Sequence, residues 1–134
     1  MNIERTLYTA AKQLAMKNYP IGWGGAAAMV TESGRILTSV APEVLQEGLG
    51  LCMEVGSICE AHKLKEKITH SLCIARSDEK SEFKILTPCG VCQERLLFWG
   101  ENVQAAITNK DNKIKFKSLK QLMPYHWLAA FKQN

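Results

Sequence analysis

Cys52, Cys89 and Cys92 are three thiols able to hold one zinc ion, and Glu54 stands two residues after the first of them. Cys89 and Cys92 follow Pro88 with the Cys-x-x-Cys spacing of a zinc hook. Zinc with three protein ligands keeps its fourth position open for water, which separates a catalytic site from a structural one. Three thiolates should lower the pKa of such a water less than three imidazoles would. A local base is then needed, and Glu54 is placed to be it, carrying protons as a single shuttling carboxylate. The competing reading is a structural zinc knuckle with Glu54 as a solvated helix residue. Structural sites close their tetrahedron with a fourth Cys or His. Cys59 lies two turns along the same predicted helix as Cys52, and Cys73 sits mid-strand, where a small buried thiol is commonplace. A lone Cys-x-x-Cys is a weak signal. Its agreement with Cys-x-Glu and with a strand–helix setting favours catalytic zinc.

The elements that must position these residues follow from periodicity. Ile3, Leu7, Ala10, Ala11, Leu14 and Ala15 have helical spacing, which predicts a helix over 2–18 with Asn2 as its cap. Pro20, Gly22, Gly24 and Gly25 end it. Residues 26–31 read as a buried strand, Glu32-Ser33-Gly34 as a tight turn, and 35–40 as the hairpin partner. A loop over 41–50 leads to a helix predicted from Leu51 to about Glu66, with Val55, Ile58, Cys59 and Ala61 facing inward. Residues 71–75 and 83–86 are further strands, the second running into Thr87-Pro88. A short helix is expected over about 89–99. Strands over 103–107 and 113–116 flank the turn Lys110-Asp111-Asn112, and a helix over 118–123 precedes an aromatic tail from Pro124 to Asn134. His62 and His70 read as solvent-facing. Cys52 and Cys89 both start helices in this reading, so two positive helix ends would offset the surplus negative charge of three thiolates. The order predicts an α/β fold: a mixed sheet of about five strands covered by helices in three layers, α/β/α.

Composition is consistent with that. At 134 residues the chain reads as one domain, 1–134, able to bury about two thirds of its extended surface. Apolar residues are 46% and charged residues 22%, the balance of an ordinary globular protein. A net charge of +4 is too small and too scattered to argue for a polynucleotide. Lys110, Lys113, Lys115, Lys117 and Lys120 alternate with Ile114 and Phe116, as on the solvent face of an edge strand. The start Met1–Arg5 is polar, and no apolar run approaches a membrane span, so a cytoplasmic protein with no membrane partner is expected. Five cysteines is an odd number, which argues against a pure disulfide framework and for thiols free to bind metal.

With those residues in place, the chain resembles the cytidine deaminase family in its small-subunit, homotetrameric branch, and also the blasticidin S deaminases. Gly48 to Glu54 resembles the approach to the family's Cys-Ala-Glu, and Thr87 to Gln93 its Ser-Pro-Cys-Gly-x-Cys segment. Gly34 to Val40 is similar to its hairpin strand, and Leu122-Met123-Pro124 to a motif near its C-terminus. A Cys/Glu/Pro-Cys-x-x-Cys constellation is the signature of zinc nucleobase deaminases. The resemblance implies a zinc-dependent aminohydrolase of a cytosine-type nucleoside, with one Zn2+ per chain on Cys52, Cys89 and Cys92. It implies Glu54 as the catalytic residue and Glu43, Trp23, Ala41, Met53 and Thr87 at the substrate. It also implies a homotetramer whose aromatic tail, with His126, reaches a neighbouring site.

The departures are specific. The family's Asn-x-Glu, which holds the ribose 3′-hydroxyl, falls on Ala41-Pro42-Glu43, so the glutamate is kept and the amide lost. The family's Arg after the catalytic Glu is Val55 here, and Arg95, one turn beyond Cys92, is the candidate for the missing charge. These changes move weight toward a modified cytosine nucleoside, including a nucleoside antibiotic. Trp23 is alternatively a core anchor and Glu43 a loop-surface residue. Two other classes compete. A catalytically silent zinc module would have no need of Glu54, and a thiol redox protein using Cys89 and Cys92 lacks the thioredoxin-like strand–helix–strand setting.

Overall fold

The computed structural model describes residues 1–132, so the last two residues of the expected tail, Gln133 and Asn134, lie outside it. Helix α1 (Ile3–Asn18) starts where expected, the Asn2 side chain accepting the Arg5 backbone N–H at 3.0 Å. Leu7, Ala11 and Ala15 recur on its inner face and are fully buried. Strand β1 (Gly24–Thr31) is buried along its whole length, because it is covered on both faces. Ala26, Ala28 and Val30 pack toward α1, while Met29 joins Ile58 and Ala61 on the opposite side, as the two-residue period of a strand requires. Gly34 makes the turn into β2 (Ile36–Ser39) at φ 91°, a conformation that a side chain would strain.

Helix α2 (Val55–Leu64) is followed by β3 (Ile68–Arg76), β4 (Lys84–Ile85), α3 (Gly90–Leu96), β5 (Gln104–Ala106), β6 (Phe116–Ser118) and α4 (Leu119–Leu122). The sheet runs β2-β1-β3-β5-β6, with β4 also paired to β3. The β3–β5 pair is parallel and the other pairs antiparallel, so α3 lies in the crossover that a parallel pair demands. One apolar layer gathers α1 and one sheet face. The other gathers residues of α2, α3 and α4. This is the mixed, helix-covered α/β architecture expected, with six strands among the described residues where about five were predicted.

Several boundaries moved. The helix predicted from Leu51 starts at Val55, since residues 52–54 form a turn in which the Val55 N–H reaches the Cys52 carbonyl at 3.1 Å. Cys59, expected inside, is exposed on α2. Strand β3 starts at Ile68, three residues early, which puts His70 in the sheet with its ring edge-on to Phe116 at 5.1 Å. The strand predicted over 113–116 forms at Phe116–Ser118 instead, because the Asn109 side chain bonds the Lys113 backbone at both ends.

Candidate active site

Two turns of chain bring the thiols together. Cys89 is the N-cap of α3, and Cys92 is buried one turn inside it. Cys52 lies three residues before the start of α2, so that helix does not start at a ligand as expected. The ligand atoms of Cys52, Cys89 and Cys92 all lie within 4.8 Å of one another, with Cys52 and Cys89 Sγ 3.2 Å apart. Cys59 and Cys73 are outside this group.

Glu54 sits between Cys52 and α2 and is 3% exposed. Ser39, at the end of β2, fixes this corner. Its hydroxyl donates to the Met53 carbonyl at 2.6 Å, accepts the Ser57 N–H at 3.0 Å and lies 2.7 Å from the Ser57 hydroxyl. Gly56 permits the approach, since a Cβ there would lie 2.8 Å from Ser39 Cβ. Sequence reasoning passed over Ser39. Its signal was the Gly56-Ser57 pair one turn behind Glu54, which only the packing of α2 on β2 makes meaningful.

The electrostatics follow from that burial. Desolvation holds the Glu54 carboxyl above its usual range, against hydrogen bonding and the charge of Arg95. Burial, and then the charge of Glu54, pushes the Cys92 thiol up. Cys52 is raised by its hydrogen bond with Cys89 and by burial. At Cys89 burial opposes ionisation, but the backbone N–H groups of Cys92 and Val91 and the adjacent thiols outweigh it and hold its pKa below the ordinary thiol value. One helix end thus acts on the cluster, at Cys89. Positive charge arrives otherwise through Arg95, whose Nη1 donates to Cys92 Sγ at 3.8 Å. Three convergent sulfurs beside a buried carboxylate that need not ligate are a donor set that fits zinc.

The expected substrate residues divide. Met53 and Trp23 meet over Gly25, where an added Cβ would lie 2.9 Å from Met53 Cε and 3.1 Å from Trp23 Cη2. Trp23 is 48% exposed and stacks edge-on against Tyr19 at 5.3 Å, so it is not buried as a core anchor would be. Thr87 is half-buried, locked to Thr108 by two reciprocal backbone-to-hydroxyl bonds of 3.0 and 2.8 Å. Ala41 is half-buried and Glu43 exposed in the loop after β2, and neither takes part in the contacts that build the cluster. His126 bonds Glu94 of α3 at 2.6 Å, which brings the tail to the helix that carries Cys92. A hollow of about 550 Å³ lies under that tail, lined by Leu97, Met123, His126 and Leu128 among others.

No protein-family model matches the chain. Among solved structures it is similar to a cytidine deaminase from Bacillus anthracis, at 58% identity over 97% of this chain and 93% of that one, with a TM-score of 0.95. A cytidine deaminase from Mycobacterium leprae matches at 25% identity over 92% of this chain and 98% of that one, TM-score 0.70. One from Mycobacterium tuberculosis matches at 25% identity over 92% and 95%, TM-score 0.68.

Proposed function

The chain belongs to the cytidine deaminase family, and from that premise we propose that it hydrolyses the amine of a cytosine-type nucleoside to ammonia and the uracil-type product. The observation that carries the reading is Glu54, a carboxylate 3% exposed beside three thiols. Such a group costs free energy to bury without a use.

Cys52, Cys89 and Cys92 would hold the zinc ion. When bound, zinc supplies Lewis acidity that makes water a nucleophile near neutral pH. Glu54 would take a proton from the attacking water and pass it to the ring nitrogen. It would then take the second proton from the hydroxyl so formed on the ring carbon and give it to the amine, which leaves as ammonia while that carbon becomes a carbonyl. Its burial suits this work, since desolvation raises its basicity toward the working pH, where a shuttle is most effective. Arg95 offsets the charge of three thiolates on a dication through its contact with Cys92. Met53 and Trp23 flank the ring, Thr87 stands at the approach to Cys89, and Glu43 reaches for a sugar hydroxyl.

Ala41 supports a narrower reading. It offers no side-chain donor or acceptor where the family holds the ribose, so a cytosine nucleoside with a modified sugar or base, including a blasticidin S-like antibiotic, fits that position. The working unit is a homotetramer in the cytoplasm. Among the described residues no helix is long and apolar enough to cross a membrane. Zinc analysis with an ammonia-release screen over cytidine, deoxycytidine and modified cytosine nucleosides tests the reading. One zinc per chain with release from at least one of them is expected, and zinc-loaded protein inert toward all would overturn it. If Ala41 sets the preference, Ala41→Asn lowers KM for plain cytidine, and an unchanged KM would remove the narrower reading.

A further inference from the structure

Cys73 has no part in the reaction described above, yet its Sγ lies 3.6 Å from Glu54 Oε1, with the geometry of an S–H donor to that oxygen. We propose that Cys73 is a positioning residue: its thiol donates to the Glu54 carboxylate and fixes the orientation in which that carboxylate moves protons. The inference rests on Glu54 being the shuttle.

The backbone holds this donor in place. Cys73 pairs with Ala27 of β1 across the sheet, and its carbonyl accepts the Leu86 N–H at 2.9 Å, so the strand is tied on both sides. Its neighbours Leu72 and Ile74 belong to the layer packed on α1. By strand alternation Cys73 therefore points the other way, toward Glu54 at the head of α2. The thiol is 4% exposed. Burial first, and then the charge of Glu54, pushes its pKa far up, so the sulfur keeps its proton and faces the carboxylate as a donor.

The Glu54 backbone N–H and the Cys92 side chain also bond the Glu54 carboxylate. Cys92 would be taken up by the metal, however, and Arg95 faces Cys92, which leaves Cys73 as the side-chain donor from another element. A thiol is a weak donor. It can set the rotamer of a carboxylate without holding its charge as tightly as a guanidinium would. That suits a group that must accept a proton and release it again. A catalytic side chain whose rotamer is left free loses rate through misplacement even when it is present.

The test uses zinc-loaded protein and two readouts. In a Cys59→Ala background the three ligand sulfurs are thiolates, so Cys73 carries the remaining S–H, and its infrared stretching band reports its partner directly. The band is expected below the free-thiol frequency, moving back toward it in Glu54→Gln. A free-thiol band unmoved by Glu54→Gln would overturn the proposal. In steady-state turnover Cys73→Val, which fills the space without a donor, is expected to lower kcat about tenfold with KM within about twofold and zinc content unchanged, and Cys73→Ser to recover most of that loss. Wild-type kcat in Cys73→Val, or no recovery in Cys73→Ser, would also overturn it. Should Cys73→Val fail to fold, the infrared comparison, made with Cys73 intact, decides. Full turnover by Glu54→Gln would instead remove the shuttle itself, an outcome distinct from every result at Cys73.

Discussion

Glu54 and Arg95 are the two charged side chains through which the site's chemistry is most directly tested. Glu54→Gln keeps the shape and removes the proton-carrying group. It should retain zinc and thermal stability while turnover falls by at least ~10²-fold, the low end for a positioned acid–base residue. Near-normal turnover in a zinc-replete variant would end the shuttle assignment. Arg95 contacts Cys92, and its charge also acts on the Glu54 carboxyl. Outer contacts of this kind are worth about 10- to 100-fold in metal affinity or activity. Arg95→Met should therefore weaken zinc binding by roughly that factor in competition with a chelator, and Arg95→Lys by less, since it keeps the charge but loses the planar fork. Equal affinities in the three proteins would leave the Cys92 contact with no role in holding the ion.

The elements matter through their starting points. Helix α2 is pinned to β2 by Ser39, and the pin works because Gly56 has no side chain. Replacing a helical glycine by alanine ordinarily stabilises by about 1 kcal/mol. Here the new methyl would meet Ser39 Cβ at 2.8 Å, and overpacking of that kind costs about 1–3 kcal/mol. Gly56→Ala should lower Tm and displace Glu54, reducing kcat, whereas a raised Tm would show that α2 can shift at no cost. Helix α3 contributes otherwise. Its first amides face Cys89, which explains why the hook begins at the helix cap. The periodicity of 51–66 announced α2 but not its start, because a Cys-Met-Glu turn and a first helical turn differ in hydrogen bonding and not in residue pattern.

At the scale of the molecule, apolar surface remains to be covered. Leu45 is fully exposed, Phe98 71%, Tyr125 96% and Phe131 76%, an amount that marks association surfaces more often than a free monomer. The tail folds back on its own chain through His126–Glu94 and Lys132–Glu101, with Trp127 and Phe131 packed edge-on against each other and largely exposed. Light scattering is expected to give four times the 15.0 kDa chain. Removing residues 125–134 should lower both that mass and the turnover, and a fully active monomer would refute the composite site. Stripping zinc should abolish turnover and lower Tm, since a ligand that binds only the folded state stabilises it. The far-UV signal should survive, because the two apolar layers are built without Cys52 or Cys89.

The three thiols that cluster, the carboxylate beside them and the layered fold were legible in the sequence because each rests on short-range order. Cys-x-Glu, Pro-Cys-x-x-Cys and apolar periodicities are written within a few residues. What needed the tertiary structure was contact between segments far apart in the chain. Cys73 read as an inert core thiol until β3 placed it against Glu54, 19 residues away. Ser39 was one polar residue of a hairpin until α2 packed on it. Trp23 and Met53 came together because both close over Gly25, which their spacing in the chain does not announce. Local propensity and spacing identify the residue types a reaction needs. The hydrogen bonds that orient those residues are set by packing between elements, and no local pattern encodes them.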